Sequence, residues 1–113
     1  KAPVRAMPVN PALLVCGPVE IDLQSHIAWM EERELDLTPT EFNLLVTLAD
    51  RAPAVVSPQE LLRQATGYQA DPAEARELVK WHIHHLRRKV EPEPSDPRYV
   101  LNVRGVGYRL AVG

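Results

Sequence analysis

Asp71-Pro72-Ala73-Glu74-Ala75-Arg76-Glu77-Leu78-Val79-Lys80-Trp81-His82-Ile83-His84-His85-Leu86-Arg87-Arg88-Lys89-Val90 is the stretch on which the fold turns. Asp71 supplies an oxygen that can accept from a free first-turn amide, and Pro72 occupies the position where a missing N–H costs nothing. Glu74 suits the positive end of a helix dipole. Advancing about 100° per residue, Ala75, Val79, Ile83, Leu86 and Val90 fall within about 40° of one line. Pro92, Pro94 and Pro97 prevent continuation. The pattern predicts one helix over 72–90, about 28 Å long at the standard rise.

The same start signal occurs twice upstream, as Thr38-Pro39-Thr40-Glu41 and Ser57-Pro58-Gln59-Glu60. Each glutamate can close a capping box, with Asp71 and Glu74 a looser analogue. The first signal predicts a helix to about Arg51, with Phe42, Leu45, Val46 and Ala49 on one face and Pro53 just beyond its end. The second predicts a helix from Pro58 to about Thr66, with Leu61, Leu62 and Ala65 apolar, stopped by Gly67.

Strands flank the helices. Leu13–Val15, Val19–Leu23, Ile27–Met30 and Leu35–Leu37 read as four short strands of an antiparallel meander. After the helices, Tyr99, Leu101 and Val103 alternate with Val100, Asn102 and Arg104. Gly105-Val106-Gly107 then form a tip, and Tyr108, Leu110 and Val112 alternate again, which predicts a β-hairpin. Arg104 to Gly107 is not a nucleotide loop, because it joins two strands and opens no helix. The expected class is α+β: an N-terminal four-stranded antiparallel sheet, three helices and a C-terminal hairpin. Two short capped helices, a longer basic one and a hairpin are the winged variant of helix-turn-helix.

The length of 113 residues suits one domain, expected over 12–113. Residues 1–11, with Pro3, Pro8 and Pro11, read as a linker from a longer protein. No apolar run could span a bilayer and no signal peptide opens the chain, which points to a cytoplasmic protein without a membrane partner. Cys16, the only cysteine, fits a reducing compartment. Within Leu13-Leu14-Val15-Cys16 it reads as a buried structural thiol. The net charge of −2 hides an asymmetry. Residues 1–75 hold five Lys/Arg against eleven Asp/Glu, whereas residues 76–113 hold eight against four and three of the four histidines. Such an asymmetry suggests a local surface for an anionic partner.

The long helix divides accordingly. Opposite its seam lie Glu74, Glu77, Trp81, His84, His85 and Arg88. Leu78 and Lys80 border this side, Arg87 lies beside Lys80, and Lys89 lies on the other flank near His82. Basic flanks with polar and apolar side chains between them suit the major groove of double-stranded DNA. Glu77 and Arg88 are then expected to face bases, Lys80 and Lys89 phosphates. A glutamate at a base favours cytosine, and Leu78 would favour a thymine methyl.

From Leu37 to Leu110 the chain resembles the effector domain of OmpR/PhoB-type response regulators. The resemblance rests on Leu37-Thr38-Pro39-Thr40-Glu41-Phe42-Asn43-Leu44-Leu45, Val56-Ser57-Pro58-Gln59-Glu60-Leu61-Leu62, His82-Ile83-His84-His85-Leu86-Arg87-Arg88-Lys89 and Val103-Arg104-Gly105-Val106-Gly107-Tyr108-Arg109. It implies a receiver domain upstream and transcription control as the output of a two-component system. Leu78, Trp81 and His85 take positions that face bases; His82, His84 and Arg87 take positions that hold phosphates. Arg104 takes the wing-tip position that enters the minor groove, flanked by Asn102 and Tyr108. Thr66, Gly67, Tyr68, Gln69 and Ala70 correspond to a loop that touches RNA polymerase in related activators. Relatives bind direct repeats as head-to-tail pairs, so the isolated domain is expected to be monomeric and to dimerise on DNA.

The chain departs from the family where His84 and His85 replace arginines and Trp81 replaces a small or branched residue. Neutral histidines neutralise no phosphate, so a weaker salt dependence than that of a typical relative is expected. Protonation near the unperturbed histidine value would raise affinity below about pH 6.5. Other readings compete. Trp81 could pack on the wing or a neighbouring subunit, and Arg104 could be a solvated turn residue. Glu31-Glu32-Arg33-Glu34 and Asp36 read as a solvent-facing strand edge, or as a surface for a receiver's basic patch. His82 and His85 share a side, but His84 points elsewhere and no fourth ligand completes a metal site. No cofactor motif, nucleophile–base pair or carboxylate dyad suggests an enzyme. The net negative charge keeps a protein-interaction module in play, and a one-component regulator could carry the same effector domain.

Overall fold

The computed structural model describes residues 12–111; the expected linker over 1–11 and Val112 lie outside them. The described residues run β1 (Leu13–Cys16), β2 (Val19–Asp22), β3 (Ile27–Met30), β4 (Arg33–Glu34), α1 (Pro39–Arg51), α2 (Pro58–Thr66), α3 (Pro72–Val90), β5 (Val100–Val103) and β6 (Gly107–Leu110). The first four strands form one antiparallel sheet in sequential order, and β5 and β6 form the hairpin.

The sheet buries one face by simple alternation. Val19 pairs with Met30 and Ile21 with Ala28, and all four are buried. The fourth strand is a correction: it is Arg33–Glu34, not Leu35–Leu37. Glu31 and Glu32 both take positive φ, 49° and 72°, so the chain reverses within two residues. Arg33 thereby pairs with Met30 at once. Leu35 still donates its amide to the Ala28 carbonyl, at 2.9 Å, before it turns into the core. Glu31, Glu32, Arg33, Glu34 and Asp36 are all exposed along this edge. Cys16 is buried, which pushes its thiol pKa up.

All three helices start at the expected caps, but only one capping box closes. Thr38 Oγ1 accepts the Glu41 amide, and Glu41 Oε1 accepts the Thr38 amide. At α2, Ser57 accepts from the Glu60 amide, yet the Glu60 carboxylate turns to Arg51, Arg63 and Gln64. These partners, Arg63 first, hold its pKa down to about 2. At α3, Glu74 accepts the Tyr68 hydroxyl instead. At Glu60, the charged Arg51 and Arg63 donors outcompete a neutral backbone amide for the carboxylate.

Helix α1 is buried beyond one face. Phe42, Leu45 and Ala49 are joined in the core by Leu44 and Leu48, because α1 packs against α2 and α3 and also meets β1 and β6. Helix α2 ends at Gly67 with φ +80°, and the Ala52–Pro53 peptide is cis. The seam of α3 is fully buried: Ala75, Val79, Ile83, Leu86 and Val90 are each at most 1 % exposed. Burial of the four larger side chains contributes roughly 6–12 kcal/mol as an upper bound, enough to fix which side of α3 faces out.

Candidate nucleic-acid interface

The hairpin is held to α3 by polar contacts at its base. Arg87 donates through Nε and Nη2 to the Val100 carbonyl, at 3.0 and 2.8 Å. Four residues on, buried Glu91 accepts the amides of Arg98, Tyr99 and Val100. On the other strand, Tyr108 exchanges both backbone hydrogen bonds with Val56, just ahead of the α2 cap. A Cβ on Gly107 would collide with the Val56 carbonyl, so glycine is required for this approach. The hairpin and both helices of the helix-turn-helix therefore form one unit.

At the tip, the Val106 amide donates to the Val103 carbonyl at 2.9 Å, and Gly105 takes φ +77°. Arg104 stands in this turn, exposed, as the sequence suggests. Asn102 is exposed across from Tyr108, its register partner. Burial pushes the Tyr108 phenol up, against the pull of Arg87, whose Cζ lies 6.0 Å from the ring centre.

Between α3 and the wing lies a cleft of about 520 Å³, which Arg76, Glu77, Lys80, Arg87, Asn102 and Arg104 help to line. Ser57 and Gln59 reach it from the start of α2. The sequence reading missed Arg76, although at 100° per residue it lies within about 20–40° of Arg87 and Lys80. That angle marks Arg76 from the sequence, although it lies upstream of the histidine-rich stretch 82–85.

Farther round α3, the outer face changes character. Trp81 is 61 % exposed and Leu78 37 %. The Trp81 indole is held between His85, with ring centres 4.2 Å apart, and His82, edge-on at 5.1 Å. His84 meets His85 edge-on at 5.4 Å. Trp81 is thus outside the core, and it borders a hollow of about 420 Å³ together with Lys80, His84, Arg87 and Tyr108 of β6. Glu77, Arg88 and His84 are exposed and His85 half-buried. His82 is half-buried, and burial lowers its pKa, with His85 adding to the effect and Glu41 opposing it.

Lys89 has other business. Its Nζ lies 2.6 Å from Glu41 Oε1, on the side of α3 that meets α1. Among the described residues no group of three or more His, Cys, Asp or Glu side chains could hold a metal ion. Among the described residues no helix is long and apolar enough to cross a membrane.

Thr66 is the last residue of α2, and Gly67–Ala70 form the link to α3. Tyr68 donates its hydroxyl to Glu74, which raises the phenol pKa, and Gln59 Nε2 donates to the Ala70 carbonyl at 3.0 Å. The link is tied at both ends while Tyr68 stays 48 % exposed.

Comparison with known proteins agrees with this geometry. Residues 32–110 match the family described as "Transcriptional regulatory protein, C terminal". The DNA-binding response regulator MtrA of Mycolicibacterium smegmatis is 44% identical over 110 residues, covering 96% of this chain and 47% of the relative. The chain thus spans about half the length of the curated relatives it matches. The DNA-binding domain of the response regulator AdeR, solved in complex with an intercistronic region, superposes with a TM-score of 0.72 at 30% identity, covering 88% of this chain and 99% of that one. The Klebsiella pneumoniae RstA DNA-binding domain, solved with the RstA box, gives 0.77 at 24% identity over 88% and 96%, a likeness of fold. The chain belongs to the family of C-terminal transcriptional regulatory domains, the winged-helix DNA-binding domains of OmpR/PhoB-type response regulators.

Proposed function

We propose that the chain reads duplex DNA in transcription control as the output half of a longer response regulator, with a receiver domain upstream. The observation that carries this is the division of α3: a fully buried seam, with an exposed outer face beside a basic cleft under the wing. Helix α3 enters the major groove, where Glu77, Leu78, Trp81, His85 and Arg88 face base edges. Lys80, Arg87 and His84 run along the phosphates, joined by Arg76 and, when protonated, His82. Lys89 leaves that set, because its charge is committed to Glu41. Arg104 enters the minor groove, with Asn102 and Tyr108 beside it. On direct repeats two domains bind head to tail, and the tethered link between α2 and α3 offers Tyr68 to RNA polymerase.

The exposed Trp81 favours a second reading, a protein-interaction module with little DNA affinity. Titration against mixed genomic duplex at two salt concentrations separates the two. Binding that weakens steeply with salt supports DNA recognition, and no binding at either concentration overturns it.

A further inference from the structure

The outer face of α3 is split lengthwise, and its two strips suit different parts of a duplex. Against the wing run Arg76, Lys80 and Arg87, a basic strip matched to phosphates. Farther round the helix run Leu78, Trp81 and His85, with the two large apolar side chains of α3 that are exposed. A protein partner for so small an apolar strip would have to tolerate Arg88 and the basic cleft alongside it. Duplex DNA tolerates both, and its major groove presents one apolar feature, the C5-methyl group of thymine.

Trp81 adds a polar element to the match. Among the described residues no acceptor takes its indole Nε1–H, so an N–H donor and an apolar ring are offered together. Thymine displays the complementary pair, the O4 acceptor beside the methyl group. Cytosine displays an amino donor and no methyl at the same edge. The tilted ring contact with His85, one turn on, narrows the freedom of the indole before any DNA arrives, which lowers the ordering cost of contact. Leu78, one turn before Trp81 on the same strip, has no polar atom and suits a second methyl.

We infer that Trp81 is a specificity-determining residue that reads thymine, through its indole N–H on O4 and its ring on the C5-methyl, with Leu78 on a neighbouring methyl. This inference rests on the DNA-binding reading above and names the base class that the same face selects.

The test is selection of duplexes from a random pool by the whole chain, followed by resynthesis of the selected duplex with deoxyuridine replacing thymidine, one position at a time. That exchange removes one methyl group and leaves pairing intact. Wild type is expected to lose about fourfold in affinity at one or two positions, the worth of one methylene-sized apolar group. Trp81→Ala is expected to lose the penalty at one of those positions and Leu78→Ala at the other. Trp81→Phe keeps the ring and should retain the methyl penalty while binding more weakly overall. Trp81 lies outside the core, so circular dichroism and melting of Trp81→Ala should match wild type. A selected site without thymine, equal binding of thymidine and deoxyuridine duplexes, or a penalty that persists unchanged in Trp81→Ala each overturns the inference while DNA binding stands. Failure to enrich any duplex overturns the DNA-binding reading, and this inference with it.

Discussion

Lys89 Nζ lies 2.6 Å from Glu41 Oε1, which joins the last turn of α3 to the first turn of α1. The same carboxylate oxygen accepts the Thr38 amide at 2.9 Å. One buried glutamate therefore closes the cap of the central helix and fixes the end of the helix proposed to read DNA.

Lys89→Gln should destabilise the domain by about 1–3 kcal/mol, because Glu41 keeps its burial and loses its charged partner. Burial pushes the Glu41 pKa up, but the Lys89 and Thr38 hydrogen bonds outweigh it and the net shift is downward. A lowered carboxylate pKa contributes stability above the unfolded value, and that contribution is lost as pH falls through the folded one. The gap between wild type and Lys89→Gln should thus be full at pH 7 and shrink below about pH 4, as read by urea unfolding. The slope of log affinity against log salt should hardly move, whereas a lost phosphate contact would lower it by about 0.9.

The two wing glycines should separate cleanly. A Cβ at Gly107 meets the Val56 backbone, which cannot swing aside as a flexible side chain would. Gly107→Ala is expected to break the Val56–Tyr108 bridge and cost about 2–4 kcal/mol. Gly105 has φ +77° but open space around it, so Gly105→Ala should cost only the left-handed penalty of about 1–2 kcal/mol. Thermal melting of both variants checks the order.

What could be read from the residues follows from how local each signal is. The bounds of α3 were legible because Asp71-Pro72 and the five-residue seam specify them within one segment. Strand β4 was not, because Leu35 looks like a strand residue while the turn at Glu31 and Glu32 sets the register upstream of it. Trp81 could be placed on the outer face by angle alone. The Lys89–Glu41 pair joins residues 48 positions apart, and helical angle cannot show which basic side chain another helix will claim. Arg76 was recoverable from the same wheel that placed Lys80.

Glu91 should govern the wing more than the core. Its carboxylate, 4 % exposed, accepts three successive amides leading into β5. Glu91→Ala orphans the buried Val100 amide among them and should cost about 2–4 kcal/mol. Glu91→Gln keeps one acceptor oxygen and should cost less. Hydrogen exchange should quicken at Tyr99 and Val100 in both variants while the amides of α1 keep their protection. Uniform loss of protection would show that Glu91 supports the whole fold instead.

Arg76 and Arg104 line the same cleft, yet they should fail in different ways. Arg76 stands on α3 near its start, beside Lys80, with no base-facing neighbour but Glu77. Arg76→Ala should weaken binding to every duplex alike and lower the salt slope by about 0.9. Arg104 stands in the turn of the wing, where a narrow A·T-rich minor groove concentrates negative potential. Arg104→Ala should therefore weaken binding most on duplexes with an A·T tract where the wing lands, and least where that tract is changed to G·C. Fluorescence anisotropy with the two duplexes at three salt concentrations reads both effects. Glu77 shares the cleft but is proposed to face a base, so Glu77→Gln should weaken binding only on duplexes that set a cytosine amino group opposite its carboxylate. A uniform gain on all duplexes, opposite to Arg76→Ala, would instead make it a group that only repels phosphate.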